Sequence, residues 1–155
     1  SKKGALLIQF PASITINYYE KVEEIIKHIQ SLQPTSKWHL AVEVRNPGWY
    51  NPAVYEMLIM NKASLVFHDM PNSRTPLEQA ATDIIYLRLH GPTGNYRDGY
   101  NASDLETYAA WIYQWHLSGK TIYIYFNNTI GDAYDNALSL RGYIGQLIGQ
   151  HREAS

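Results

Sequence analysis

The chain has 155 residues, 45% of them hydrophobic and 17% charged, which is enough to bury one sizeable core and argues against disorder. Thirteen Lys and Arg nearly cancel fourteen Asp and Glu, so no global field draws the chain to nucleic acid or acidic lipid. The absence of cysteine excludes a disulfide, a thiolate nucleophile and a Cys-based zinc site within these residues.

Ala5 to Phe10 reads as a short buried strand with Gln9 as its one polar residue, closed by Pro11. Asn17 is placed to cap a helix over about 18–33, with Val22, Ile25, Ile26, Ile29 and Leu32 as its apolar stripe. A strand over 37–45 puts Leu40, Val42 and Val44 on one face and Ala41, Glu43 and Arg45 on the other. Asn46-Pro47-Gly48 makes a turn, and Pro52 opens a helix to about Asn61 that turns Val54, Met57 and Leu58 inward. A third strand over 64–69 ends in His68 and Asp69, and the proline-bearing stretch 70–82 reads as loop.

The fourth strand, Ile84 to His90, carries Ile84, Tyr86, Arg88 and His90 on one face and only Ile85, Leu87 and Leu89 on the other. A glycine-rich loop over 91–102 follows, with Tyr96, Arg97 and Tyr100. Ser103 and Glu106 form a candidate capping box for a helix over 104–117. The fifth strand, 120–127, sets Tyr123, Tyr125 and Asn127 opposite Ile122, Ile124 and Phe126. A last helix over 132–148 has Ala133, Ala137, Leu140, Ile144 and Leu147 on one stripe. Strands alternating with helices call for a parallel sheet, hence an α/β fold read as one domain.

Polar residues gather late in every strand: Gln9, then Glu43 and Arg45, then His68 and Asp69, then Arg88 and His90, then Tyr125 and Asn127. Parallel strands bring these ends to one side, where α/β proteins place their sites. Arg45 and Arg88 suit a carboxylate or phosphate held in a forked geometry, and His90 adds a donor or an acid–base group. The backbone N–H groups between Gly91 and Gly99 are available to the same ligand. Glu43 has a plainer role open to it, neutralising Arg45 or Arg88 inside the sheet. A divalent metal on Glu43, His68, Asp69 and His90 is sterically conceivable. No short ligand motif supports it and the arginines oppose it, so no cofactor is predicted. Trp49, Tyr50, Tyr96, Tyr100 and Tyr125 lie on or beside the strand ends; singly they suit packing, and together with the arginines they suit a sugar phosphate or nucleotide.

Val42-Glu43-Val44-Arg45 with Trp49-Tyr50, Tyr86-Leu87-Arg88-Leu89-His90-Gly91, and Tyr123-Ile124-Tyr125-Phe126-Asn127-Asn128-Thr129 with Asn136-Ala137 together resemble the YecE-like family, domain of unknown function 72. Leu7-Ile8-Gln9-Phe10-Pro11 and the loop through Tyr96 and Tyr100 fit as well. The resemblance implies a TIM-like (β/α) barrel and no particular activity, with Asn128 joining the candidate binding residues. Family members resemble complete eight-stranded barrels, whereas five strands cannot close one. The expectation is therefore an incomplete barrel that pairs with a missing N-terminal half or with a second copy.

Three functions follow as expectations. The first is an enzyme on a phosphorylated or otherwise anionic small molecule, with Arg45 and Arg88 on the anion, His90 and Glu43 moving protons and Asn127 orienting the substrate. The second is a nucleic-acid-binding or processing barrel, and the third a non-catalytic module whose polar mouth is structural. No apolar run approaches the about 18 residues of a membrane span. Ser1-Lys2-Lys3 reads as the lead into a strand and not as a signal peptide, so no membrane partner and a cytoplasmic location are expected.

Overall fold

The computed structural model describes residues 4–32, 38–77 and 82–153. Five strands, β1 (Ala5–Phe10), β2 (His39–Val44), β3 (Ala63–His68), β4 (Ile84–Leu89) and β5 (Thr121–Phe126), form one parallel sheet in the order β1-β2-β3-β4-β5. Helices α1 (Tyr19–Ser31), α2 (Pro52–Met60), α3 (Ala102–Leu117) and α4 (Ala133–Glu153) follow β1, β2, β4 and β5. The sheet curls into an α/β half-barrel. The expected strand start at Lys37, helix end at Gln33, lead Ser1–Lys3 and the 78–81 part of the loop lie outside the described residues.

Side-chain alternation divides the sheet into two faces. Outward residues of β1 and β2 pack with Val22, Ile26, Val54, Met57 and Leu58 of α1 and α2. Those of β4 and β5 pack with Leu105, Ala109, Ile112 and Leu140 of α3 and α4. Inward, Ala5, Leu7, Ala41, Val66, Tyr86 and Tyr123 make a smaller apolar floor. The central strands are buried along nearly their whole length, while the edge strands β1 and β5 stay half-exposed, as strands with one neighbour must.

Two helix starts differ from expectation. Asn17 does not cap α1: a single 3-10 turn, Ile16–Tyr18, precedes the helix, whose first flanking residue Tyr18 makes no side-chain cap. Within the expected stripe of α1, Val22 and Ile26 are buried but Ile25 and Leu32 are exposed. Helix α3 is capped by Asn101, not Ser103; the Asn101 side chain accepts the Asp104 N–H at 2.9 Å. Because the chain is already helical at Ala102, Ser103 sits inside the first turn, where its hydroxyl has no capping duty. Asn101→Ala is therefore expected to cost about 1 kcal/mol. Ser103→Ala should stay within about 0.5 kcal/mol, as surface changes do. Urea denaturation midpoints of the two variants check the assignment, and equal losses would contradict it.

Candidate functional site

The register delivers the polar residues as neighbours. Gln9 stands beside Glu43 across β1–β2, and His68, Arg88 and Tyr125 stand side by side across β3, β4 and β5. Arg45 and His90 follow one residue after the ends of β2 and β4, keeping the inward parity of Glu43 and Arg88.

Glu43 is fully buried and lies between two guanidinium groups. One carboxylate oxygen meets Nε of Arg45, and the other accepts from Nη1 of Arg88 at 2.6 Å. The plainer role weighed for Glu43, neutralising an arginine, is thus realised with both arginines at once. Arg88 also donates from Nη1 to Gln9 Oε1 at 3.0 Å and from Nε to Asn127 Oδ1 at 3.3 Å. Arg45 reaches the other way, its Nη2 standing 3.0 Å from Nε2 of His90.

A guanidinium can only donate, so His90 Nε2 must accept from Arg45 and the ring proton must sit on Nδ1. From there it points to Asp69 Oδ1 at 3.1 Å. Asp69 also accepts the His90 main-chain N–H at 2.8 Å and the Tyr100 hydroxyl, which itself accepts the Gly91 N–H at 2.7 Å. Burial alone would raise the Asp69 carboxyl. The bonds from the His90 ring, Tyr100 and the His90 backbone outweigh it and hold the group below its ordinary value. Burial and the adjacent Asp69 charge push the Tyr100 hydroxyl well up, so Tyr100 remains a donor at neutral pH. Gly91 takes φ +96°, the left-handed region that favours glycine, and this turn lets the 91–100 loop fold back against His90.

His68 shares the inward face but is committed to main chain. Its Nδ1 accepts the Met70 N–H at 3.3 Å, which leaves Nε2–H to face the Val44 carbonyl at 3.0 Å and the Tyr50 hydroxyl at 3.2 Å. Burial lowers its pKa to about 4, so the ring is neutral at pH 7. Tyr50 donates to the Ser73 carbonyl at 2.5 Å, and burial raises its pKa to about 12.

The remaining expected residues part company. Trp49 is fully buried in the outer core, its Nε1 donating to the Ile14 carbonyl at 2.8 Å, and is not at the mouth. Asn128 is also buried; its Nδ2 donates to the Asp98 carbonyl and to Asn136 Oδ1, fastening the 91–100 loop to the start of α4. Tyr100 braces Asp69 from within the core. Of the candidate aromatics Tyr96 and Tyr125 are the exposed ones, Tyr96 lying edge-on to His90 at 5.3 Å and Tyr125 stacked on Tyr86 at 4.7 Å between ring centres. Among the described residues no group of three or more His, Asp or Glu is placed to hold a metal ion.

Sequence reasoning placed Asp69 at the strand ends and gave it a role only as a metal candidate, missing its hold on His90 and Tyr100. Asn136, whose Oδ1 also accepts the Tyr100 N–H at 3.0 Å, entered only through the family resemblance and was given no role. Arg74 and Asp104 were likewise missed; with Asp69, Tyr100, Tyr108 and Trp111 they line a cavity of about 180 Å³ beside α3.

A parallel half-barrel with ionised and amide side chains gathered at the strand carboxyl ends is an α/β protein of the incomplete-barrel class. The chain belongs to DUF72, a family of proteins of unknown function, whose model matches residues 1–154. It is similar in structure to a DUF72 family protein from Enterococcus faecalis V583, with TM-score 0.71 and 21% identity over 91% of this chain and 58% of that one. A DUF72 family protein from Thermotoga maritima MSB8 is similar too, with TM-score 0.67 and 25% identity over 94% of this chain and 57% of that one. The chain thus spans less than three-fifths of either solved structure. No curated protein matches it. Among the described residues no helix is long and apolar enough to cross a membrane.

Proposed function

We propose that the carboxyl-end mouth binds a small anionic molecule, with Arg88 and Arg45 taking its acid group. One observation carries this reading: two arginines share one carboxylate, leaving a surplus positive charge beside Glu43. Asp69 does not contact either arginine in the network; the His90 ring stands between it and Arg45. Among the described residues Nη2 of Arg88 and Nη1 of Arg45 have no hydrogen-bond partner, and these are the donors offered to the ligand. Gln9 and Asn127 orient Arg88, and His90, held by Asp69, orients Arg45.

Within this reading Glu43 and His90 act as holding groups. Both carboxylate oxygens of Glu43 and both ring nitrogens of His90 are already engaged, so neither is poised to exchange a proton with an occupant of the mouth. The half-exposed edges β1 and β5 are where further strands, from the additional length of the relatives or from a second copy, would complete the ring.

Calorimetric titration with inorganic phosphate tests the reading. Wild-type chain should bind, and Arg88→Ala should weaken binding at least about tenfold, since a bond to a charged group is worth about 1.5–3 kcal/mol. Absence of binding by the wild type, or full retention in Arg88→Ala, overturns it.

A further inference from the structure

We infer that the occupant of the mouth carries a planar ring beside its acid group, as a nucleoside monophosphate does, and that Tyr125 is the platform on which the ring stacks. The inference rests on the anion reading and deepens it. Five aromatics stand near the strand ends, and the structure separates them by what they already do. Trp49 and Tyr100 are buried, and the Tyr50 hydroxyl is tied to Ser73 and His68. Tyr125 differs on three counts. It is the direct cross-strand neighbour of Arg88, on the same inward face. The residue is 41% exposed. It also lies nearly parallel to Tyr86, at an interplanar angle of 20°, and Tyr86 is only 6% exposed.

A buried ring behind an exposed one fixes the orientation of the outer ring at little further entropy cost, which is what a stacking surface requires. Arg88 is pinned by Glu43, Gln9 and Asn127, so donor and platform are both held before any ligand arrives. Tyr96 adds an independent sign. It holds φ +66°, a left-handed conformation that costs a bulky non-glycine residue strain. Its main chain is clamped there by Tyr96 N–H to the His90 carbonyl at 2.8 Å and Ile130 N–H to the Tyr96 carbonyl at 3.2 Å. The result is a second exposed ring kept over His90, at the arginine end of the mouth. Anion donors flanked by exposed aromatic rings match a phosphate joined to a flat base better than a bare sugar phosphate, which has no π face to stack.

The test compares adenosine monophosphate, ribose 5-phosphate and inorganic phosphate, titrated into wild type, Tyr125→Leu and Arg88→Ala. Wild type should bind the adenosine compound at least about tenfold more tightly than ribose 5-phosphate, the scale of one stacked base. Tyr125→Leu should erase that ratio while inorganic phosphate binds as before, and Arg88→Ala should weaken all three. Equal affinities for the first two ligands in wild type, or a ratio unchanged in Tyr125→Leu, overturns the ring platform and leaves the anion reading standing. A Tyr125-dependent preference without any phosphate binding supports the platform and overturns the anion reading. No binding of any ligand overturns both.

Discussion

Glu43→Ala should lower stability by about 3–5 kcal/mol, the usual cost of removing one partner from a buried ion pair. The reason lies in the charges left behind. Glu43 has no exposed surface, and the side chains of Arg45 and Arg88 keep only 9% and 13% of theirs. Without the carboxylate, two guanidinium groups face each other across a partly desolvated gap with nothing between them. Arg88 retains Gln9 and Asn127, and Arg45 retains His90, but these are neutral partners that cannot offset like-charge repulsion. For a chain of this size the loss corresponds to a melting point lower by on the order of 10 °C. Adding Arg45→Met to Glu43→Ala removes one stranded charge and should recover part of the loss. The double-mutant cycle should then show a coupling within the about 0.5–3 kcal/mol range of residues in one network. A Glu43→Ala protein within about 1 kcal/mol of wild type, or a coupling near zero, would show that the triad does not carry the charge balance described.

Much of this site was legible because a strand's two-residue period is rigid. Glu43 with Arg45, Arg88 with His90, and Tyr125 with Asn127 had to share faces, and parallel pairing had to bring them to one end. What the period does not encode is which partner a side chain chooses once there. His68 has the right parity, yet the Met70 N–H and the Val44 carbonyl claim both of its nitrogens. Asp69 has the wrong parity, yet it lies past the end of β3, where alternation no longer binds it, and it reaches His90 and Tyr100. Trp49 looked like a site aromatic by position, but the 3-10 turn at Pro47–Trp49 points it into the outer core. The helix starts failed for a related reason. A cap is defined by where the backbone first turns helical, and Asn17 and Ser103 carry the right side chains at the wrong backbone positions.

Acidification should reveal His68. Its folded pKa is about 4 against an ordinary 6.5, chiefly because burial disfavours the charged ring; nearby Arg45 and His90 push the same way, while Glu43 and the Val44 carbonyl oppose. The sign follows from proton counting. Between pH 6.5 and 4 the unfolded chain protonates His68 and the folded chain does not, so stability is fully present above pH 6.5 and drains away as pH falls toward 4. At 1.36 kcal/mol per pKa unit, the loss attributable to this one ring is about 3 kcal/mol. Asp69 acts in a separate window. Its folded carboxyl is lowered from 3.8, so its contribution is kept above that value and lost only at still lower pH. Urea unfolding at pH 7, 5.5 and 4 separates the two. His68→Gln begins less stable at pH 7, having lost part of the bridge between Val44 and Met70, but its stability should fall about 3 kcal/mol less than wild type by pH 4. Parallel pH profiles for wild type and His68→Gln would mean that the folded ring takes up its proton as readily as the unfolded one, and that burial does not keep it neutral between pH 6.5 and 4.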